Sequence, residues 1–105
     1  MLIIETPVFT RRVLKLMSDE NYREFQRALV ADPECGAIIR HSGGLRKARW
    51  TGAGRGKRGG VRAIYYWAPA REILLMLLVY GKNEQDDLTH EQLRTLKSLV
   101  EKELK

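Results

Sequence analysis

The first third of the chain places apolar residues at helical spacing after a short opening strand. The pattern predicts a strand over residues 2–4 and helices over residues 7–17 and 19–31. Thr6 and Ser18 are suited to cap the two helices, and Pro7 fits the first helical position, where its missing N–H leaves no bond unmade. Pro33 ends the second helix, because proline disfavours helical geometry in the residue before it. We therefore expect a helical hairpin.

The chain then changes to the two-residue period of strands. Strands are expected over residues 37–39, 45–51, 61–67 and 73–80. In the second of these, Lys47 and Arg49 fall on one face and Arg46 on the other, because successive strand residues point to opposite sides. The strand 73–80 is almost wholly apolar, which is typical of a central strand covered on both faces. The short connection 68–71 predicts that the last two strands form an antiparallel hairpin.

A final helix is indicated from His90 to Leu104. It begins at Thr89-His90-Glu91-Gln92, where Thr89 and Gln92 can cap each other's backbone N–H groups. The complete order β-α-α-β-β-β-α predicts a single α+β domain over residues 1–105. In this domain, the two N-terminal helices and the C-terminal helix pack on one side of an antiparallel β-sheet.

The positive charge of the chain is concentrated in its middle third. The formal net charge is +6, and nine of the 19 Lys and Arg residues lie between Cys35 and Arg71, a stretch that contains none of the 13 Asp and Glu residues. A surface that needs only to be soluble normally mixes charges of both signs. A concentrated basic patch attracts a polyanion by releasing its counterions. We therefore expect this region to bind nucleic acid.

Composition argues against several other classes of protein. Cys35 is the only cysteine, so no disulfide can form within the chain, and a reducing, cytoplasmic location is expected. The longest apolar run, 73–80, is too short to span a membrane, and the first residues do not have the pattern of a signal peptide. His41 and His90 lack a partner at metal-ligand spacing, so we expect neither a metal nor another cofactor.

The basic region supplies the candidate site residues. Lys47 and Arg49 share a strand face, and Arg62 opens the next strand and can reach the same surface. Such a cluster can bind a phosphate and stabilise the charge that develops on it during transfer. Lys47 or Lys82 could take part in proton transfer. Nucleic-acid-binding residues are expected beside this face and in the glycine-rich segment between the strands, at Arg46, Arg55, Lys57 and Arg58.

Three ordered motifs resemble the RelE/ParE superfamily of toxins from type II toxin–antitoxin systems, most closely its HigB-like branch. They are Gly43–Arg49, Gly56–Tyr66 and Tyr80–Glu84, and residues 87–89 at the start of the last helix also fit. The likeness covers nearly the whole chain. It implies a RelE-like, microbial RNase-like fold. It also implies a ribosome-dependent endoribonuclease, an mRNA interferase that needs no metal and arrests translation.

The resemblance also implies residue roles and partners. Lys47, Arg49 and Arg62 match the family's basic and phosphate-stabilising positions, and Lys82 and Asn83 complete the candidate catalytic set. Asn83 and Thr89 depart from an arginine and a catalytic tyrosine that many members have at these positions. The implied reaction is attack of a ribose 2′-hydroxyl on the adjacent phosphate. The implied partners are the ribosome with its mRNA and a cognate antitoxin that blocks the toxin and represses their shared promoter with it.

Two alternatives stay open on the sequence. A ParE-like inhibitor of DNA gyrase needs no catalysis, and a non-catalytic nucleic-acid-binding module would keep the basic patch without depending on Arg62. Tyr65, Tyr66 or Tyr80 could replace the missing catalytic tyrosine, although we expect all three in the core or the sheet.

Overall fold

The computed structural model describes residues 1–51 and 60–104 of the chain. Within these ranges, three helices accompany a five-stranded sheet, so the α+β class expected from the sequence is confirmed. The strands are β1 (Leu2–Glu5), β2 (Ala37–Ile38), β3 (Arg46–Trp50), β4 (Val61–Ala68) and β5 (Ile73–Gly81); the helices are α1 (Pro7–Leu16), α2 (Asp19–Ala31) and α3 (His90–Leu104). None of these helices is long and apolar enough to cross a membrane.

The first two helices begin where the local sequence predicts. Thr6 Oγ1 accepts the N–H of Phe9 at 3.1 Å, and Ser18 Oγ accepts the N–H of Asn21 at 3.1 Å. Pro7 occupies the first helical position of α1. Each side chain satisfies a backbone donor that the helix itself cannot pair. The starts of α1 and α2 are therefore determined by one or two adjacent residues.

The sheet is mixed, so the expectation of an antiparallel sheet is wrong at one edge. The strand order is β1-β5-β4-β3-β2, and the β5–β4, β4–β3 and β3–β2 pairs are antiparallel. β1 runs parallel to β5, with Leu2 opposite Ile73 and Glu5 opposite Met76. A parallel pair needs a long crossover, which the chain between β1 and β5 provides. The apolar run at residues 2–4 indicates a strand but carries no information about its direction.

Helices cover both faces of the sheet, which corrects the expectation that they pack on one side. α1 and α2 pack on one face, which we call the hairpin face, and α3 packs on the other, the α3 face. Within β5, Leu74 and Met76 belong to the core under α1 and α2, whereas Leu75 and Leu77 belong to the core under α3. These four side chains are at most 3% exposed. The continuous apolar run of β5 therefore reflects two covered faces.

The turn before β2 is fastened to the hairpin face by Tyr65 and Arg46. The Tyr65 hydroxyl donates to the Pro33 carbonyl at 2.8 Å and accepts the Gly36 N–H at 2.9 Å. Arg46 Nη1 donates to the carbonyls of Glu34 and Gly36 at 3.0 and 2.8 Å. A Cβ at position 36 would stand 2.9 Å from the Tyr65 hydroxyl, closer than real Cβ contacts, so a larger residue there would have to displace this ring. Both side chains hold the fold together away from the α3 face.

Candidate nucleic-acid interface

Three basic residues meet where β3 and β4 pair on the α3 face. Lys47 and Arg49 are two residues apart on β3, and Arg49 lies directly opposite Arg62 of β4. Arg62 lies in turn opposite Tyr80 of β5. Side chains that face each other across antiparallel strands have Cβ atoms about 4.5–5.5 Å apart. The structure therefore brings Lys47, Arg49 and Arg62 together, and we call them the cation cluster.

The members of the cation cluster lie at different depths. Arg62 is 7% exposed, the side chain of Lys47 is 18% exposed, and Arg49 is exposed. Ile64, a core residue under α3, pairs with Lys47, so the cluster borders this core. Charges next to an apolar core are screened less by water than charges on an open surface. Arg62 is thus the deepest of the three cations and the one least screened by solvent.

An acidic residue joins the cation cluster from the far end of the sequence. Lys47 Nζ donates to Asp87 Oδ1 at 2.7 Å, and the Asp87 side chain is 81% exposed. The basic region is therefore free of acids along the chain but not in space. The segment after β5 folds back onto β3 and brings this carboxylate to the basic strand. Forty residues separate the two partners in sequence, so no local pattern could indicate this pair.

Side chains at the start of α3 hold the loop that carries Asp87. Thr89 Oγ1 accepts the N–H of Gln92 at 3.1 Å, and Gln92 Oε1 accepts the N–H of Thr89 at 3.0 Å, which is the reciprocal capping expected from the sequence. Gln85 Nε2 donates to both Gln92 Oε1 and the Asp87 carbonyl, each at 2.9 Å. The position of Asp87 is therefore tied to the first turn of α3.

The pKa values of Asp87 and Tyr80 are shifted in opposite directions. The hydrogen bond from Lys47 lowers the pKa of Asp87, and the positive charges of Lys47, Arg49 and Arg62 lower it further. Burial raises the pKa of Tyr80, which is 1% exposed, and the negative charge of Asp87 adds to this increase. At neutral pH Asp87 is therefore a carboxylate and Tyr80 a neutral phenol.

Two further candidate catalytic residues, Lys82 and Asn83, follow β5 at one end of the sheet. Lys82 directly follows β5 and is exposed, and its N–H donates to the Gly60 carbonyl at 3.2 Å. Asn83 lies on the hairpin face. Its Oδ1 stands 3.0 Å from the place that a Cβ on Gly81 would occupy, where Leu16 of α1 also approaches. The structure therefore places the Asn83 side chain across the sheet from the cation cluster.

The remaining candidates do not form one group. Arg46 points to the hairpin face, where it holds the turn before β2. Three other expected nucleic-acid-binding residues lie outside the described residues: Arg55, Lys57 and Arg58. The Tyr65 hydroxyl is also engaged on the hairpin face, and Tyr66 is half-buried beside the core under α3. Among the three tyrosines, Tyr80 is the one paired with a member of the cation cluster.

No known protein-family model matches this chain. Its chemistry is therefore argued from the site itself. Arginine guanidinium groups can hold phosphate oxygens in a two-pronged fork, and a lysine ammonium adds a single point charge that can also carry a proton. Cations fixed on adjacent strands can therefore bind a polyanion backbone and stabilise charge that develops on one phosphate.

Proposed function

We propose that the chain is the toxin of a type II toxin–antitoxin pair, of the RelE/ParE superfamily and its HigB-like branch, and that it cleaves messenger RNA on the ribosome. The observation that carries the proposal is the direct pairing of Arg49 with Arg62 across β3 and β4, with Lys47 on the same face. Like charges placed directly opposite each other destabilise a sheet. We infer that the two arginines are kept opposite each other, despite this destabilisation, because the surface binds an anion.

The cation cluster suits one RNA phosphate and its neighbours. Arg62 is nearly buried and borders an apolar core, so its interaction with a bound phosphate is less screened than that of an exposed cation. Arg49 lies opposite it on β3 and is exposed, so it can reach the same phosphate or the next one. The motif resemblance supports the same residues as the phosphate site.

The proposed reaction is attack of a ribose 2′-oxygen on the adjacent phosphorus. The bond between phosphorus and the 2′-oxygen forms as the bond to the 5′-oxygen breaks, which leaves a 2′,3′-cyclic phosphate and a 5′-hydroxyl. The 2′-hydroxyl loses one proton and the departing 5′-oxygen gains one. Arg62 and Arg49 stabilise the charge on the non-bridging oxygens, and Lys47 is our candidate for delivering the proton to the 5′-oxygen.

We place two partners on this surface. Messenger RNA in the ribosome is the substrate, which fits a cytoplasmic protein that arrests translation. A cognate antitoxin is the inhibitor, and it covers or distorts the cation cluster, because a basic surface is easily blocked by a segment of opposite charge.

The proposal is tested by comparing Arg62→Ala, Arg62→Lys and Arg27→Ala in single-turnover cleavage on programmed ribosomes, with ribosome binding measured separately. The Arg62→Ala variant should cleave about a hundredfold more slowly or worse, because it loses one preorganised donor to the phosphate. Binding should fall far less, since many cations share the electrostatic affinity. Arg62→Lys keeps the charge without the fork and should recover part of the rate. Arg27 is exposed on α2 and should be dispensable.

Two outcomes would count against the ribonuclease. Equal and small losses of binding for Arg62→Ala and Arg27→Ala, with unchanged cleavage rates, would favour a generic nucleic-acid-binding sheet. Intact transcripts together with gyrase-linked DNA breaks in cells would favour a ParE-like gyrase inhibitor. The Arg62→Lys variant keeps a long apolar stem at this nearly buried position, so its unfolding temperature should stay close to that of the unaltered chain. A slower cleavage rate at an unchanged unfolding temperature then reports on the reaction and not on the fold.

A further inference from the structure

A groove of about 790 Å³ lies on the α3 face between α3 and the β1 edge of the sheet. Leu75 and Leu77 of β5 lie at its base, α3 forms one wall, and Ile4 with the start of α1 forms the other. β1 is the edge strand, so no further strand of the described sheet covers this side. Ile4 is 41% exposed and Val8 is 40% exposed. The groove therefore presents apolar surface next to an open sheet edge.

The rim of the groove is acidic, although the chain as a whole is basic. Glu91 and Glu103 lie at the two ends of the groove-lining edge of α3, with Thr95 and Leu99 between them. Both glutamates are exposed. Twelve helical residues separate them by about 18 Å along the helix axis. Among the described residues that line the groove, none is Lys or Arg. On the opposite wall the carboxylate of Glu5 also lines the groove, and it accepts hydrogen bonds from the hydroxyls of Thr10 and Tyr22. The groove is thus apolar along its middle, and its exposed carboxylates stand at both ends of the α3 wall.

We propose that this groove is a docking site for an amphipathic helix of another protein, with an apolar face and a Lys or Arg near each end of that face. Such a helix lays its apolar residues into a groove in a common mode of peptide recognition. Its two cations, about 12 residues apart, match the spacing of Glu91 and Glu103. The pairs at the rim set register and orientation, while the buried apolar residues supply most of the affinity.

The sign of the charge decides against nucleic acid as the occupant. A phosphate backbone would meet two exposed carboxylates here, whereas the cation cluster offers it cations on another part of the α3 face. The groove does not include Lys47, Arg49 or Arg62. The docking proposal therefore does not depend on the proposed ribonuclease activity, and each can fail alone.

The test uses two synthetic leucine- and alanine-rich helical peptides of about 16 residues, long enough for partial helicity in water. One carries two arginines about 12 residues apart at the ends of its apolar face, and the other carries glutamates there. Binding to the full chain is measured by calorimetry without RNA, and the site is located by backbone amide NMR shifts. The arginine peptide should bind about tenfold more tightly, as expected for two rim pairs that change from repulsive to attractive. It should become more helical and shift amides of β5 and α3 in the groove.

A charge exchange completes the test. In a Glu91→Lys, Glu103→Lys variant the preference should invert, so that the glutamate peptide binds more tightly. Glu101→Lys is the matched control, since Glu101 is exposed on α3 and lies outside the groove. All three substitutions are on the surface and should leave the fold intact, which circular dichroism checks.

Several results would overturn the proposal. One is equal affinity for the two peptides, and another is a preference that the double variant does not invert. A third is a set of amide shifts that lie outside the groove. Shifts of the groove amides by single-stranded RNA would also overturn it. So would a dimer of this chain in sedimentation that the double variant dissociates, because a second copy would then be the occupant.

Discussion

Substitution of Asp87 by asparagine tests whether the cation cluster is partly neutralised from within. Asparagine keeps the shape of the side chain and removes its charge, so Lys47 loses the carboxylate that its Nζ contacts at 2.7 Å. The Asp87 side chain is 81% exposed, so its replacement should leave the packing of the fold unchanged. The ammonium of Lys47 then becomes available to a phosphate of bound RNA. We expect Asp87→Asn to bind single-stranded RNA more tightly than the unaltered chain.

The size of the effect follows from counterion release. Each phosphate of a single strand that a protein neutralises steepens the slope of log affinity against log salt by about 0.7. One additional contact, from Lys47, should therefore steepen the slope by about 0.7, which corresponds to about a fivefold gain in affinity near 0.1 M salt. The gain in affinity should shrink as the salt concentration rises, because it comes from counterion release alone.

Fluorescence anisotropy over a series of salt concentrations measures both the slope and the affinity. A labelled RNA in which every 2′-hydroxyl is methylated cannot be cleaved by 2′-oxygen attack, so binding is separated from reaction. Asp86→Asn is the matched control, because Asp86 is adjacent and also exposed. Its backbone carbonyl, which accepts from the Tyr80 hydroxyl at 3.5 Å, is kept in the variant. An unchanged slope for Asp87→Asn, or an equal steepening for Asp86→Asn, would show that Asp87 does not compete with RNA for Lys47.

Two further predictions concern protonation and stability. Lys47→Met should raise the pKa of Asp87 towards its ordinary value, because the largest cause that lowers it is removed; carboxyl NMR titration measures this, and an unchanged pKa would contradict it. In the unaltered chain, the stabilisation associated with this low pKa is present at neutral pH and is lost as pH falls through the Asp87 pKa. Tyr65→Phe should destabilise the fold by about 1–3 kcal/mol in denaturant unfolding, because the buried N–H of Gly36 loses its acceptor; equal stability would refute this. Burial raises the pKa of Tyr65 from 10.0 to about 12, so its contribution to stability should be lost between those pH values.

The sequence predicted well the features that adjacent residues determine. Thr6, Ser18 and Thr89 cap the three helices through bonds to residues three positions further along the chain. The alternation of β3 separates Lys47 and Arg49 from Arg46, as expected from strand geometry. These features depend only on a few neighbouring residues, so a single sequence contains the information.

Features that depend on distant pairing could not be predicted in this way. The direction of β1 depends on its partner β5, and the face that α3 covers depends on the path of the chain after β5. Both faces of β5 are apolar, so its sequence cannot say which helices cover which face. The contact of Asp87 with Lys47 spans 40 residues and follows from that same path. The sequence motifs therefore include Asp87 at the start of the last helix without indicating its contact with Lys47.

The formal charge of the basic region overstates the positive charge that the α3 face offers to RNA. Arg46 points to the other face, and Lys47 already contacts a carboxylate. Arg49 and Arg62 lie on the same face as Lys47, and their positive charges also act on Asp87. In the proposed function, an RNA phosphate competes with Asp87 for Lys47, and the asparagine variant removes that competitor. Asp87 thus acts as an internal competitor, and the affinity of the cation cluster for RNA is set by the difference between two anions rather than by a count of cations.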